Sequence, residues 1–80
     1  MDAKQAALRA RDYLVSLIPE ADAILLEEVE KDGNNWLITL SMYRHSYSAS
    51  PFGEPPRTYK TFEVNALTGE VLAMRMRAVS

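Results

Sequence analysis

The sequence predicts an α+β domain: one N-terminal helix packed on a four-stranded antiparallel sheet, in the order α-β-β-β-β. Three observations carry this prediction. An alanine-rich opening stretch repeats apolar residues at three- and four-residue spacing. Two turn signals, Asp32-Gly33-Asn34-Asn35 and Asn65-Ala66-Leu67-Thr68-Gly69, each sit between segments of strand-forming residues. A segment rich in proline and serine then separates the two hairpins.

The helix begins at Asp2, which with Gln5 forms the pattern of a capping box, and the Ala, Leu and Lys content beyond it favours helix. Ala3, Ala6, Ala7, Ala10, Leu14, Leu17 and Ile18 draw one apolar stripe, and the small alanines permit a close approach to the sheet. Pro19 cannot continue the hydrogen-bond ladder and disfavours helical geometry at Ile18, so the helix ends there.

Taken alone, residues 23–31 suit either helix or strand, since Ile24-Leu25-Leu26 and Val29 fit both periods. The turn at 32–35 and the strand formers of Trp36-Leu37-Ile38-Thr39-Leu40-Ser41-Met42-Tyr43 decide for a hairpin. Trp36, Ile38, Leu40 and Met42 then share the face beneath the helix, joined by Leu25 and Val29. Glu27 falls on the same face, so either it lies near the sheet margin or a bulge shifts the register.

Residues 44–57 form a long loop, carrying His45, three serines, Gly53, Pro51, Pro55 and Pro56. Residues 59–65 and 70–77 make the third and fourth strands. Phe62, Val64, Leu72, Met74 and Met76 face the core, with Lys60 near its edge. The expected core is Ala7, Ala10, Leu14, Leu17, Ile18, Leu25, Val29, Trp36, Ile38, Leu40, Phe62, Val64, Leu72 and Met74.

Eighty residues of ordinary globular composition, 48% hydrophobic and 25% charged, allow one domain and one modest core. The absence of cysteine excludes disulfides, thiolate zinc sites and a cysteine nucleophile. No apolar run is long enough for a membrane span and no leader pattern opens the chain, so the reading is a cytoplasmic protein without a membrane partner. Net charge is −2, which gives no global attraction for nucleic acid. The charge is nevertheless polarised. Residues 20–32 hold Glu20, Asp22, Glu27, Glu28, Glu30 and Asp32 against Lys31, whereas residues 57–77 hold Arg57, Lys60, Arg75 and Arg77 against Glu63 and Glu70.

The order of helix, acidic strand, turn and Trp-containing strand, followed by Tyr59-Lys60-Thr61-Phe62-Glu63-Val64-Asn65-Ala66-Leu67-Thr68-Gly69-Glu70-Val71-Leu72, resembles the small PepSY-like domains of peptidase propeptides. Their last hairpin has a similar Asp or Asn, then Thr-Gly-Glu, then apolar residues. The resemblance covers most of the chain and implies a noncatalytic domain that binds or restrains a partner protein.

The candidate sites reduce as follows. His45 is the single histidine, and a metal site built on it would need carboxylates for its remaining ligands; a solvated loop histidine is the simpler reading. Glu27, Glu28 and Glu30 read as charges that guard an exposed edge strand, because the run lacks the oxygen-ligand pattern and central glycine of a calcium loop. The glycines stand singly in turns, with no phosphate loop, so neither a cofactor nor a metal is expected.

The outer sheet face is the more informative surface. Leu37, Thr39, Ser41, Tyr43, Tyr59, Thr61, Val71, Ala73 and Arg75 are expected there, with His45 and Tyr47 beyond, which makes it apolar and aromatic for a solvent-facing sheet. This pattern points to a protein-interaction or inhibitory module, or a homodimer. It would use this face and the 44–57 loop, with Tyr43, His45, Tyr47, Tyr59 and Arg75 as partner-binding residues. The alternative is a small enzyme with a site around Tyr43 and His45.

Overall fold

A computed structural model describes residues 1–44 and 57–77 of the chain. It contains α1 (Ala3–Leu17), β1 (Ala21–Asp32), β2 (Asn35–Arg44), β3 (Thr58–Asn65) and β4 (Val71–Arg77). The strands form one antiparallel sheet in the order β1-β2-β3-β4, with α1 on one face, which is the predicted layout.

Each end of α1 is closed by the residues that announce it. The Asp2 carboxylate accepts from the Gln5 N–H at 2.8 Å, and Gln5 Oε1 accepts from the Asp2 N–H at 3.0 Å, which satisfies two donors that the first turn leaves open. At the other end the Ile18 N–H donates to the Leu14 carbonyl at 2.8 Å and the Ala21 N–H to the Ile18 carbonyl at 2.9 Å, carrying the chain past Pro19 into β1.

The β1–β2 hairpin turns at Gly33 and Asn34, with Asp32 opposite Asn35. Gly33 has φ +59°, the left-handed conformation that a two-residue hairpin loop asks of its first position. In the β3–β4 turn the Asn65 side chain accepts from the Leu67 and Thr68 N–H groups at 2.8 and 3.0 Å, and the Gly69 N–H closes the turn on the Asn65 carbonyl at 2.8 Å. Gly69, at φ +76°, lies so close to the start of α1 that a Cβ there would stand 2.5 Å from Met1 Cε. The Ala66 N–H also donates to the Asn34 carbonyl at 2.9 Å, so the two turns support each other at one end of the sheet.

The core lies between Ala6, Ala10, Leu14 and Ile18 of the helical segment and Ile38, Leu40, Met42, Phe62 and Val64 of the sheet. Ile38, Phe62 and Met74 stand opposite one another on three adjacent strands, and Tyr13 meets Phe62 edge to face at 6.3 Å. Alanine at positions 6 and 10 puts the helix backbone close to this row. Lys60 occupies the core face between Leu40 and Met76 and is buried, its aliphatic stem filling a place in the apolar layer.

Four residues of the expected core lie outside it: Leu17, Leu25, Val29 and Leu72 are 51, 53, 39 and 48% exposed. Leu17 ends α1 after the stripe has turned away, and Ile18 closes the core in its place. Leu25 stands opposite Ser41 on the outer face, because the register shifts between Leu26 and Glu28; carried on from the turn without that shift it would stand opposite Met42. Another shift, between Asp22 and Leu25, coincides with Ala23 at φ +50°, a conformation that costs a non-glycine residue about 1–2 kcal/mol. Leu72 is the extra residue of a third irregularity, between β3 and β4: Glu63 pairs Ala73 while Val64 pairs Val71. Val71, expected on the outer face, therefore packs against the core instead. Val29 keeps the expected face opposite Ile38, but α1 leaves this part of β1 uncovered. Three expected members, Ala7, Trp36 and Met74, are only partly buried, and two residues missing from the expected core, Ala6 and Met42, are fully buried.

Candidate functional site on the outer sheet face

The face turned away from α1 is built from alternate residues of all four strands. Glu28, Thr39, Thr61 and Arg75 form one cross-strand row, and Leu25, Ser41, Tyr59 and Arg77 form the next. Two short hydroxyl side chains at its centre, Thr39 and Ser41, are buried although they face away from the core. Longer side chains from neighbouring strands reach over them.

Around Thr39 the contacts cross the whole sheet. Thr39 Oγ1 and Thr61 Oγ1 are 2.9 Å apart and hydrogen-bonded, and Arg77 Nη1 donates to Thr39 Oγ1 at 3.4 Å. The same Arg77 guanidinium donates to Glu28 Oε2, so a residue of β4 is tied to one of β1. Arg75 lies 3.7 Å from Glu63, whose other carboxylate oxygen accepts from Asn35 Nδ2 at 2.8 Å.

Around Ser41 a second set converges. Ser41 Oγ donates to Glu27 Oε2 at 2.6 Å and accepts from Arg57 Nε at 2.8 Å. Arg57 also donates to the Ala23 carbonyl and lays its guanidinium over the Tyr43 ring, with Cζ 4.4 Å from the centroid. The ambiguity over Glu27 is thereby resolved: the register shifts between Leu26 and Glu28, and the Glu27 carboxylate bends onto the outer face to meet Ser41. The left-handed Ala23 serves the same cluster by presenting its carbonyl to Arg57.

The hydrogen bond from Arg77 holds the Glu28 carboxyl below its ordinary value, opposed by desolvation and aided by the Arg77 charge. Its partner is shifted the other way: the same hydrogen bond and the Glu28 charge raise Arg77. A depressed carboxylate contributes stability that is fully present above its unfolded pKa and is lost as the pH falls through its folded value. Stability should therefore decline on acidification below about pH 5, and Glu28→Gln should make that decline shallower. Chemical denaturation at a series of pH values measures this directly; parallel curves for the two proteins would show that the pair contributes nothing. Because both groups are exposed, added salt should weaken the difference.

Of the sequence-predicted binding residues, Tyr43, Tyr59 and Arg75 lie on this face, with Tyr43 and Tyr59 half-buried and the Arg75 side chain 64% exposed. His45 and Tyr47, and residues 45–56 of the predicted loop, lie outside the described residues. The face is more charged than expected, since arginine and glutamate side chains bond to Thr39 and Ser41 across it and Val71 is withdrawn from it, while Leu25 joins it. Arg57 is the central residue that the sequence reading left without a role. Its signal was available, because Arg57, Tyr59, Thr61 and Glu63 alternate along the run into β3.

Comparison of the chain with protein-family models, with curated proteins and with solved structures finds no match.

Proposed function

We propose that the protein is a noncatalytic protein-interaction module that receives a partner on the outer sheet face, with Tyr43, Tyr59 and Arg75 as its anchors. The stacked pair of Arg57 and Tyr43 beside Tyr59 supports this reading most directly. Aromatic and arginine side chains supply most of the energy of protein interfaces, and those already held in place lose little conformational freedom on binding. Here Arg57 is held by Ser41 and by the Ala23 carbonyl, so its ring contact is formed before any partner arrives.

The charge on the face suits a partner that brings carboxylates. Arg75 is exposed, and among the described residues its ion pair is a loose one with Glu63, at 3.7 Å. The PepSY-like resemblance of the second hairpin points to the same kind of role, a domain that binds or restrains another protein.

A photo-crosslinking residue in place of Tyr59, in the protein expressed in its own cell, should give a defined adduct with another protein. The adduct should disappear when Arg75→Ala is added. The same residue in place of Leu67, which is 86% exposed in the β3–β4 turn, should give none. Equal labelling from both positions, or an adduct indifferent to Arg75→Ala, would sink the reading.

A further inference from the structure

The single helix is too narrow for the sheet it lies on. With its side chains a helix measures about 10–12 Å across, whereas strands stand about 4.8 Å apart, so one helix covers about two of the four strands. The covered pair is β2 and β3, which hold the sheet's buried apolar residues among those described. Beside the helix, over β1, the uncovered flank forms a groove of about 440 Å³. Leu8 of α1 and Leu26 and Val29 of β1 line it and are 50, 52 and 39% exposed, so apolar area from both walls meets solvent in one place.

The groove is basic. Lys4 and Arg11 are the charged residues of its lining, both on the helix wall, and neither makes an ion pair with a described residue. The strand wall brings no carboxylate: Glu28, Glu30 and Asp32 stand opposite Thr39, Leu37 and Asn35 on the other sheet face, and Glu27 bends there to reach Ser41. Lys31, opposite Trp36, sets a third cation on the groove's side of β1, its ammonium 4.8 Å from the Trp36 ring centroid.

The spacing of the cations selects the occupant. Lys4, Leu8 and Arg11 follow one face of α1, so a basic, an apolar and a second basic side chain succeed one another over about 10 Å. A second helix lying along α1 presents its own side chains at the same period. A fatty acid offers one charge to two cations, and the α1 helix of a second copy would set Lys4 and Arg11 against their like.

We propose that this groove receives an amphipathic helix of a partner protein, whose apolar stripe packs on Leu8, Leu26 and Val29 and whose flanking carboxylates, two turns apart, pair with Lys4 and Arg11. The incoming helix completes the layer that α1 begins, lying beside it over β1. The outer sheet face takes no part, so the inference stands apart from the function proposed above.

The probe is a cross-linked helical peptide of about 15 residues, with a leucine stripe and glutamates two turns apart beside it, followed by fluorescence anisotropy. The wild-type chain should bind it saturably, more weakly at high salt, and should bind the same peptide with glutamines for glutamates roughly tenfold less well. Leu8→Glu and Leu26→Glu, on opposite walls, should each weaken binding by about tenfold or more, with circular dichroism unchanged. Lys4→Glu with Arg11→Glu should reverse the preference, losing the glutamate peptide and gaining one with lysines in those places. Tyr43→Ala with Tyr59→Ala should change nothing. An absence of saturable binding overturns the proposal, as does binding that survives both leucine variants or shows no reversal of charge preference. Displacement of the peptide by dodecanoate or by phosphatidylglycerol vesicles, more readily than by unlabelled peptide, overturns it and gives the groove to a lipid. A wild-type dimer that Leu26→Glu dissociates overturns it in favour of a second copy.

Discussion

Phe62→Ala is expected to lower the free energy of unfolding by about 3–5 kcal/mol, the cost of emptying a large aromatic site in a packed core. Phe62 is fully buried, stands between Ile38 and Met74 in the central row of the sheet, and receives the edge of Tyr13 from the helix. Neither neighbour can fill the gap: both are held by backbone pairing, and the helix above already rests on alanines. Set against a total of about 4–12 kcal/mol for a domain of this length, the loss could leave much of the protein unfolded at growth temperature. Urea denaturation monitored by circular dichroism measures it. A loss under 1 kcal/mol would mean that the helix does not sit over this row.

Leu14→Ala carries the second large effect, about 2–5 kcal/mol, while Leu17→Ala, one turn on, should stay within about 0.5 kcal/mol. The contrast rests on helix phase. Leu14 is 1% exposed and Leu17 is 51% exposed, although both belong to the apolar stripe in the sequence. The pair therefore tests the rotation of α1 about its axis, which a single core variant cannot do. Equal losses at the two positions would place the helix as the stripe alone suggests, with Leu17 inside.

The contrast at Leu14 and Leu17 also marks how far the sequence could be read. Local rules located the elements well. Asp2 and Gln5 announce the helix start, Pro19 its end, and Gly33 and Asn65 the two turns, because each of those signals acts within a few residues. Alternation along β2 was equally reliable, since Ile38, Leu40 and Met42 do face the helix. What escaped was whatever depends on a register slip. One residue too many at 26–28 puts Leu25 on the outer face, and another at 71–73 carries Val71 inward and leaves Leu72 exposed; the misfit of Glu27 hinted at the first, but a strict period of two fixes the position of neither.

The candidate site shows the same division. The positions of Tyr43, Tyr59 and Arg75 on the outer face followed from alternation alone. The burial of Ser41 and Thr39 did not, because it results from arginines and glutamates that reach across strands from Arg57, Arg77, Glu27 and Glu28. Side-chain reach of that kind depends on sheet twist and on which strands are neighbours. Neither is written in any single segment.

The strand order β1-β2-β3-β4 has a consequence for how the chain folds. Every strand pairs with its neighbour in sequence, so no pairing has to wait for an intervening element to be threaded between two distant segments. Closing a loop costs more entropy the longer the loop, and the two turns at Gly33 and Asn65 are short, whereas the connection from β2 to β3 is the longest in the chain. The two hairpins are thus the low-entropy pieces of the fold, each able to zip in microseconds from its own turn. Their union along β2 and β3, where Ile38 meets Phe62, is the step that closes the long connection and creates the surface on which the helix can settle.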